Sequence, residues 1–99
     1  MATKKFTMGK NTDDLFQTIL NLKNKKEAKA FFRDLCTIDE IKSMYERWEI
    51  VKLLDKECSY REIAKKLKVS TTTVARVALW LNNGKNGYKL MLKRKKSKI

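Results

Sequence analysis

Residues 59–78 read Ser-Tyr-Arg-Glu-Ile-Ala-Lys-Lys-Leu-Lys-Val-Ser-Thr-Thr-Thr-Val-Ala-Arg-Val-Ala. Ser59 and Glu62 match the Ser-x-x-Glu capping box that begins a helix. After Ile63 and Leu67, apolar residues recur at helical spacing along a second segment: Val74, Val77, Ala78 and Leu81. We therefore predict helices at about 60–67 and 71–82. This pattern, over about 59–82, is typical of a helix-turn-helix whose second helix enters the DNA major groove.

The start of the second helix is where base-reading side chains are expected. Hydroxyl groups can donate to or accept from base edges, and small methyl groups can meet a thymine methyl. The candidate base-contacting residues are Ser70, Thr71, Thr72 and Ala75. Ser70 has a competing structural role that we favour, since serine is a preferred helix N-cap.

Phosphate contacts, which supply affinity rather than sequence preference, need lysine and arginine. The candidates are Arg61, Lys65, Lys66, Lys68, Arg76 and the basic tail 93–98. Arg61 has a guanine edge as an alternative partner, because a guanidinium fork fits its O6 and N7 atoms. Lys68 lies at a turn position that favours glycine, so we expect a positive φ there.

The charge distribution supports a polyanionic partner. The chain has 99 residues and a net charge of +13. Residues 37–57 carry 4 basic and 6 acidic side chains, whereas residues 59–76 carry 5 basic and 1 acidic, and residues 77–99 carry 7 basic and none acidic. A concentration of cations of this kind releases counterions from nucleic acid. The length predicts a single domain, 1–99, with flexible basic arms at 1–10 and 93–99.

Composition excludes several classes of protein. Histidine is absent, and Cys36 and Cys58 have no CxxC spacing. We therefore expect no metal site, no catalytic residues and no enzyme. No apolar run approaches membrane-spanning length, so we expect no membrane partner, a cytoplasmic and nucleoid-associated location, and reduced thiols.

The remaining sequence predicts an all-α fold of about six helices, since proline is absent and glycine occurs three times. The first helix starts near Thr12, a third starts at the capping-box pattern 37–40, and a short last helix holds Tyr88 to Leu92. We expect Gly84 to end the fifth helix as a left-handed cap. The first two helices carry more large apolar residues than a small monomer covers, which favours a dimer.

The stretch from Leu35 to Leu92 resembles a known family. The residues that carry the resemblance are Asp34-Leu35-Cys36-Thr37-x-Asp39-Glu40, Glu46-Arg47-Trp48-x-Ile50-Val51-x-Leu53-Leu54, Ser59 to Ile63, Val69-Ser70-x-x-Thr73-Val74-x-Arg76-Val77, and Leu81-Asn82-x-Gly84-x-x-Gly87-Tyr88-Lys89-Leu90. They are similar to the Trp-repressor superfamily, most of all to its YerC/YecD branch. The resemblance implies an intertwined homodimer in which the helix-turn-helix projects as a reading head, and transcriptional regulation, usually repression.

The resemblance also implies a small-ligand pocket, since the Trp repressor binds L-tryptophan. Its candidate residues here are Thr37, Arg47, Arg76 and Trp80. Val77 stands where that family has glycine, and Trp80 stands where it has a serine that holds the ligand. Both changes fill space and one removes a hydroxyl, so we expect no tryptophan cofactor, with Trp80 in the vacated volume. Arg47 has the alternative of pairing with Glu46 or Glu49, and Arg76 of binding phosphate.

Two alternatives to a sequence-specific regulator stay open. One is a nucleoid-type basic protein that binds nucleic acid without sequence preference through its basic arms. The other is a helical interaction module whose two-helix motif contacts protein. The first alternative predicts an affinity that collapses with salt and is indifferent to sequence. The second predicts that Thr72→Glu leaves binding of the protein partner largely intact, whereas the same change should abolish DNA binding.

Overall fold

The described part of the chain is helical, as the spacing of apolar residues in the sequence predicts. The structure, a computed structural model, describes residues 7–97, and these form six helices and no strands. The helices are α1 Lys10–Leu20, α2 Lys25–Leu35, α3 Ile38–Asp55, α4 Tyr60–Leu67, α5 Thr71–Asn83 and α6 Gly87–Ser97. The predicted all-α class, with about six helices, is confirmed. Helix α1 begins two residues earlier than predicted, at Lys10 instead of Thr12.

The chain divides between Ile38 and Asp39 into two units. The first unit contains α1 and α2, and neither helix has a fully buried side chain. Asn24 caps α2 by accepting a hydrogen bond from the backbone N–H of Glu27 at 2.9 Å. Phe31 and Phe32 contact each other edge to face, and Leu20 is 75% exposed. This unit therefore presents much of its apolar surface to solvent.

The second unit holds the hydrophobic core, which joins all four of its helices. The fully or nearly fully buried side chains are Ile50, Val51, Leu53, Ile63, Val74, Val77, Ala78 and Leu92. The buried side chains of α4 and α5 follow the predicted inward-facing pattern, namely Ile63, Val74, Val77 and Ala78, and Leu92 joins them from α6. The core thus fixes which faces of α4 and α5 remain outside.

Helices α3 and α6 run side by side in the same direction. The rings of Trp48 and Tyr88 stack with centroids 6.5 Å apart, and Lys96 Nζ lies 2.9 Å from Asp55 Oδ2. The second contact lies closer to the C-terminus than the first on both helices, so the two helices run in the same direction where they touch. Leu92 lies between these contacts in α6 and is buried.

The structure corrects the prediction of a flexible basic arm at 93–99. Residues 93–97 continue α6, while residues 98–99, like residues 1–6 of the N-terminal arm, lie outside the described part of the chain. Cations in the last turn of a helix interact favourably with the negative end of its dipole. The ion pair of Lys96 with Asp55 adds a contact to α3, so the helix persists where sequence composition predicted a coil.

The end of α5 also differs from the prediction. Gly84 has φ −86° and ψ −148°, which is not the left-handed conformation expected of it. Glycine is needed there for space, because a Cβ atom would overlap the backbone carbonyl oxygen of Trp80. Its N–H donates to that same oxygen at 2.9 Å. Helix α5 therefore ends where the backbone of Gly84 lies against the carbonyl group of Trp80.

We expect Gly84→Ala to lower the free energy of unfolding by about 1–3 kcal/mol, because the backbone must shift to admit the methyl group. Gly87→Ala is the matched control, since a Cβ at Gly87 meets nothing within 4 Å. That change should be neutral or stabilising by up to about 1 kcal/mol. Urea denaturation followed by circular dichroism measures both, and equal stabilities of the two variants would contradict the steric explanation.

Candidate nucleic-acid interface

Helix α4 begins at the predicted capping box. Ser59 Oγ accepts a hydrogen bond from the Glu62 backbone N–H at 3.1 Å. The Ser59 backbone N–H donates to Glu62 Oε1 at 3.3 Å. Glu62 is the one acidic residue in 59–76. It is thus the one acidic residue of α4, and its carboxylate is engaged at the helix start.

The turn between α4 and α5 consists of residues 68–70. Lys68 has φ 58° and ψ 45°, as the sequence predicted for this position. The Val69 N–H donates to the Ala64 carbonyl oxygen at 3.0 Å and closes α4. Ser70 then caps α5, because its Oγ accepts from the Thr73 N–H at 3.0 Å. The favoured N-cap role of Ser70 is confirmed.

Lys68→Gly is expected to stabilise the protein by about 1 kcal/mol, because glycine adopts the left-handed conformation without the steric cost that other residues carry. The matched control is Lys66→Gly, which places the same change inside α4. There glycine should destabilise by about 1 kcal/mol. Thermal denaturation compares the melting temperatures of the two variants. A shift of the same sign in both would contradict the steric cost assigned to the left-handed backbone of Lys68.

Packing of α4 against α5 leaves one face of each helix exposed. Ile63 of α4 and Val74 and Val77 of α5 are buried in the core. The opposite face of α5 is exposed to solvent. In its first two turns this face carries two pairs of residues four positions apart: Thr71 with Ala75, and Thr72 with Arg76. We call these four residues the α5 outer face. The predicted base-contacting side chains of α5 therefore lie together on its solvent side.

The surroundings of the α5 outer face are strongly basic. Arg61, Lys65 and Lys66 of α4 and Lys68 of the turn are all exposed. Ser70 is exposed as well, and it engages Thr73 through its hydroxyl group. All nine residues predicted to contact DNA thus lie on the surface. The arrangement offers hydroxyl and methyl groups flanked by cations, which suits a duplex with a phosphate backbone.

The four residues predicted for a ligand pocket lie on different segments of the chain. Thr37 is exposed and immediately precedes α3, whereas Arg47 is exposed on α3 and Arg76 on α5. Glu49, one of the carboxylates considered for Arg47, pairs with Lys52 at 2.7 Å instead, because residues three apart on a helix are neighbours.

Trp80 does not fill a vacated volume as expected, since 61% of its surface is exposed. It borders an open groove of about 430 Å³ on the second unit, which we call the aromatic groove. The lining residues are Trp48, Trp80, Gly84, Lys85, Gly87, Tyr88 and Met91. Neither Arg47 nor Arg76 lines it. Val77 is 3% exposed, so it occupies space in the core as predicted.

Sequence reasoning missed Trp48 and Tyr88 as groove residues. Trp48 lies on α3 and Tyr88 on α6, so their stacking contact joins residues far apart in the chain. The one sequence signal for this contact is that the two aromatic residues occur on separate apolar segments. Long-range pairings of this kind follow from tertiary packing and not from local periodicity.

Residues 7–97 contain no group of three or more cysteine, aspartate or glutamate side chains placed to hold a metal ion. None of the helices in this part of the chain combines the length and apolar character needed to cross a membrane.

The fold and the exposed basic face define an all-α protein with two packed helices joined by a tight turn. The family model described as Trp repressor protein matches residues 10–96. YerC of Bacillus subtilis (strain 168), described as an uncharacterized protein, is 42% identical over 88 residues, which cover 89% of this chain and 85% of YerC. This chain belongs to the Trp repressor family.

Two crystal structures show the same fold. A TrpR-like protein from Eubacterium eligens ATCC 27750 is 44% identical with a TM-score of 0.81, covering 85% of this chain and 87% of that one. A protein from Staphylococcus aureus, proposed to be a Trp repressor, is 36% identical with a TM-score of 0.83, covering 89% and 88% of the two chains. The family resemblance predicted from the sequence is confirmed.

Proposed function

We propose that this protein is a regulator of transcription that binds double-stranded DNA in a sequence-specific manner and acts as a repressor. The single observation that carries the proposal is the α5 outer face: hydroxyl, methyl and guanidinium groups exposed on one side of a helix whose other side is buried. Membership of the Trp repressor family supports it. The helices α4 and α5 act in this proposal as a helix-turn-helix.

In this proposal the residues divide by chemistry. Thr71, Thr72 and Ala75 contact base edges in the major groove, with Ser70 holding the start of the helix. Arg76 and the cations of α4 and the turn bind phosphate oxygens on either side of the groove. The cations are Arg61, Lys65, Lys66 and Lys68. Repression then results from occupation of an operator, and no catalytic step is needed.

We propose that the protein binds DNA as a homodimer. The support is the exposed apolar surface of α1 and α2, which includes Phe16, Leu20 and Leu35. Contiguous apolar surface on a small protein marks an interaction site. An intertwined dimer would cover this surface and set two α5 helices about one turn of DNA apart. The location that fits this role is the cytoplasm, at the nucleoid.

We propose that DNA binding needs no tryptophan cofactor. The serine that holds the ligand's amino group in the Trp repressor is replaced by Trp80, and Val77 fills the space next to Arg76. A site that loses a hydrogen-bonding group discriminates against the ligand that needed it. The operator is therefore expected to be bound without added tryptophan.

Selection of bound fragments from random duplex DNA, followed by sequencing and footprinting, tests the function. We expect one pseudopalindromic site, protected equally with and without tryptophan. Enrichment of no sequence, with protection spread along every fragment, would instead support a nucleoid-type protein. Native mass measurement tests the dimer, and a monomer that binds the selected site with full affinity would contradict it.

A further inference from the structure

A second cationic surface lies away from the α5 outer face, between α3 and α6. It is a shallow groove of about 370 Å³ lined by Lys52, Asp55, Lys56, Leu92, Lys95 and Lys96. Lys93 and Arg94 are exposed on the same turns of α6, outside the lining of this groove. We call the exposed cations Lys56, Lys93, Arg94 and Lys95 the α3–α6 cation patch.

Two acidic groups near this surface form ion pairs, whereas Glu57, next to Lys56 in the chain, is exposed. Asp55 pairs with Lys96 at 2.9 Å, and Glu49 pairs with Lys52 at 2.7 Å. No aspartate or glutamate occurs after Glu62 in the sequence, so α6 itself contributes no negative charge. The four cations of the patch therefore add to one another and attract anions from solvent.

The patch adjoins the start of α4. Lys96 holds the end of α6 against Asp55, the last residue of α3. The chain then needs only residues 56–59 to reach α4, where Arg61 is exposed. Exposed cations thus occur at the end of α6, at Lys56 and on α4, with one exposed acidic residue, Glu57, on the connection between the last two. A polyanion that contacts Arg61 can extend over the patch.

The arrangement favours a duplex over a membrane surface. A helix that lies on a membrane needs an apolar face along its length, opposite its cations. In α6 four of the five cations occupy the C-terminal turns, whereas Lys89 and the exposed apolar residues Leu90 and Met91 precede them. A cluster of cations at one helix end instead matches closely spaced phosphates.

We propose that the α3–α6 cation patch is a second phosphate-binding surface, which contacts the DNA backbone that flanks the bases read by α5. This inference rests on the proposed DNA-binding function. The patch extends the footprint beyond the base-contacting region and adds affinity without adding sequence preference, because phosphates carry no base identity. Lys96 is not part of the patch, since its ion pair positions the end of α6.

The test compares two variants of the full chain that each lose four charges. The patch variant is Lys56→Gln, Lys93→Gln, Arg94→Gln and Lys95→Gln, with Lys96 retained. The control variant is Lys23→Gln, Lys25→Gln, Lys26→Gln and Lys29→Gln, which removes four exposed lysines of the first unit. Affinity is measured against salt concentration on the selected site with one extra helical turn of duplex at each end, about 10 base pairs.

We expect the patch variant to show a slope of log K against log salt that is shallower by about three to four, because each phosphate contact contributes about 0.9. The ratio of affinities for the selected site and for a scrambled site should stay unchanged. Equal loss of slope in patch and control variants would overturn the inference, because general charge would then explain it. If the patch variant unfolds, the double variant Lys56→Gln and Lys95→Gln is expected to lose about two from the slope.

These measurements distinguish failure of the proposed DNA-binding function from failure of the second phosphate-binding surface. A wild-type protein that binds no duplex overturns both. A wild-type protein that selects its site, together with a folded patch variant of unchanged slope and footprint, overturns the second phosphate surface alone. Preferential binding of the patch to an acidic peptide or an RNA, with duplex affinity unchanged in the variant, also overturns it.

Discussion

Thr72→Glu is expected to reduce affinity for the selected duplex at least about 100-fold, because like charges brought together at an interface cost several kcal/mol. Thr72 is exposed on the α5 outer face. A carboxylate there would face the negative potential of the groove and the phosphates on its rims. Since the side chain takes no part in the core, the stability of the protein should stay the same. Electrophoretic mobility shift and circular dichroism measure the two effects.

The control for this substitution is Thr72→Gln, which has nearly the same shape as glutamate but no charge. We expect it to lose some sequence preference and to keep general affinity for duplex DNA. Retention of full DNA affinity by Thr72→Glu would refute the placement of α5 in the groove. In that case binding of a protein partner by the motif, unaffected by the glutamate, becomes the better explanation.

Ile63→Ala is expected to lower the free energy of unfolding by about 2–5 kcal/mol, which is the usual cost of removing three buried carbon atoms and leaving a cavity. Ile63 is fully buried where α4 meets α5. Because small domains are stable by only about 5–15 kcal/mol, this loss is a large share of the total. DNA affinity should fall with it, since the orientation of α5 depends on this contact.

Ile38→Ala is the matched control, because the same side chain there is 54% exposed. Its expected loss is below about 1 kcal/mol, since less apolar area leaves water on folding. Urea denaturation at one protein concentration compares the two variants. Equal losses would mean that Ile63 does not hold the two helices together.

The sequence predicted α4, the turn and α5 well because the determinants are local. The capping box of Ser59 and Glu62, the cap at Ser70 and the left-handed Lys68 each depend on residues within a few positions. Burial of Ile63, Val74 and Val77 follows from the helical repeat of apolar residues. The exposure of the candidate contact residues then follows, since they occupy the other face of the same helices.

The features that sequence reasoning missed depend on contacts between distant residues. The extension of α6 to Ser97 involves an ion pair between Lys96 and Asp55, which no local pattern indicates. The need for glycine at position 84 comes from the approach of its backbone to Trp80. Residues 93–98 are basic, as their composition shows. Charge alone does not decide between coil and helix, because an ion pair with an aspartate on a neighbouring helix can stabilise the helical form.

The aromatic groove has a spectroscopic consequence. The chain contains two tryptophans, and both indole rings border this one groove. Intrinsic fluorescence therefore reports the polarity at a single place on the molecule. When a second subunit or any other molecule covers the groove, the emission shifts to shorter wavelength. One cuvette measurement thus reports whether the groove is covered, without a label.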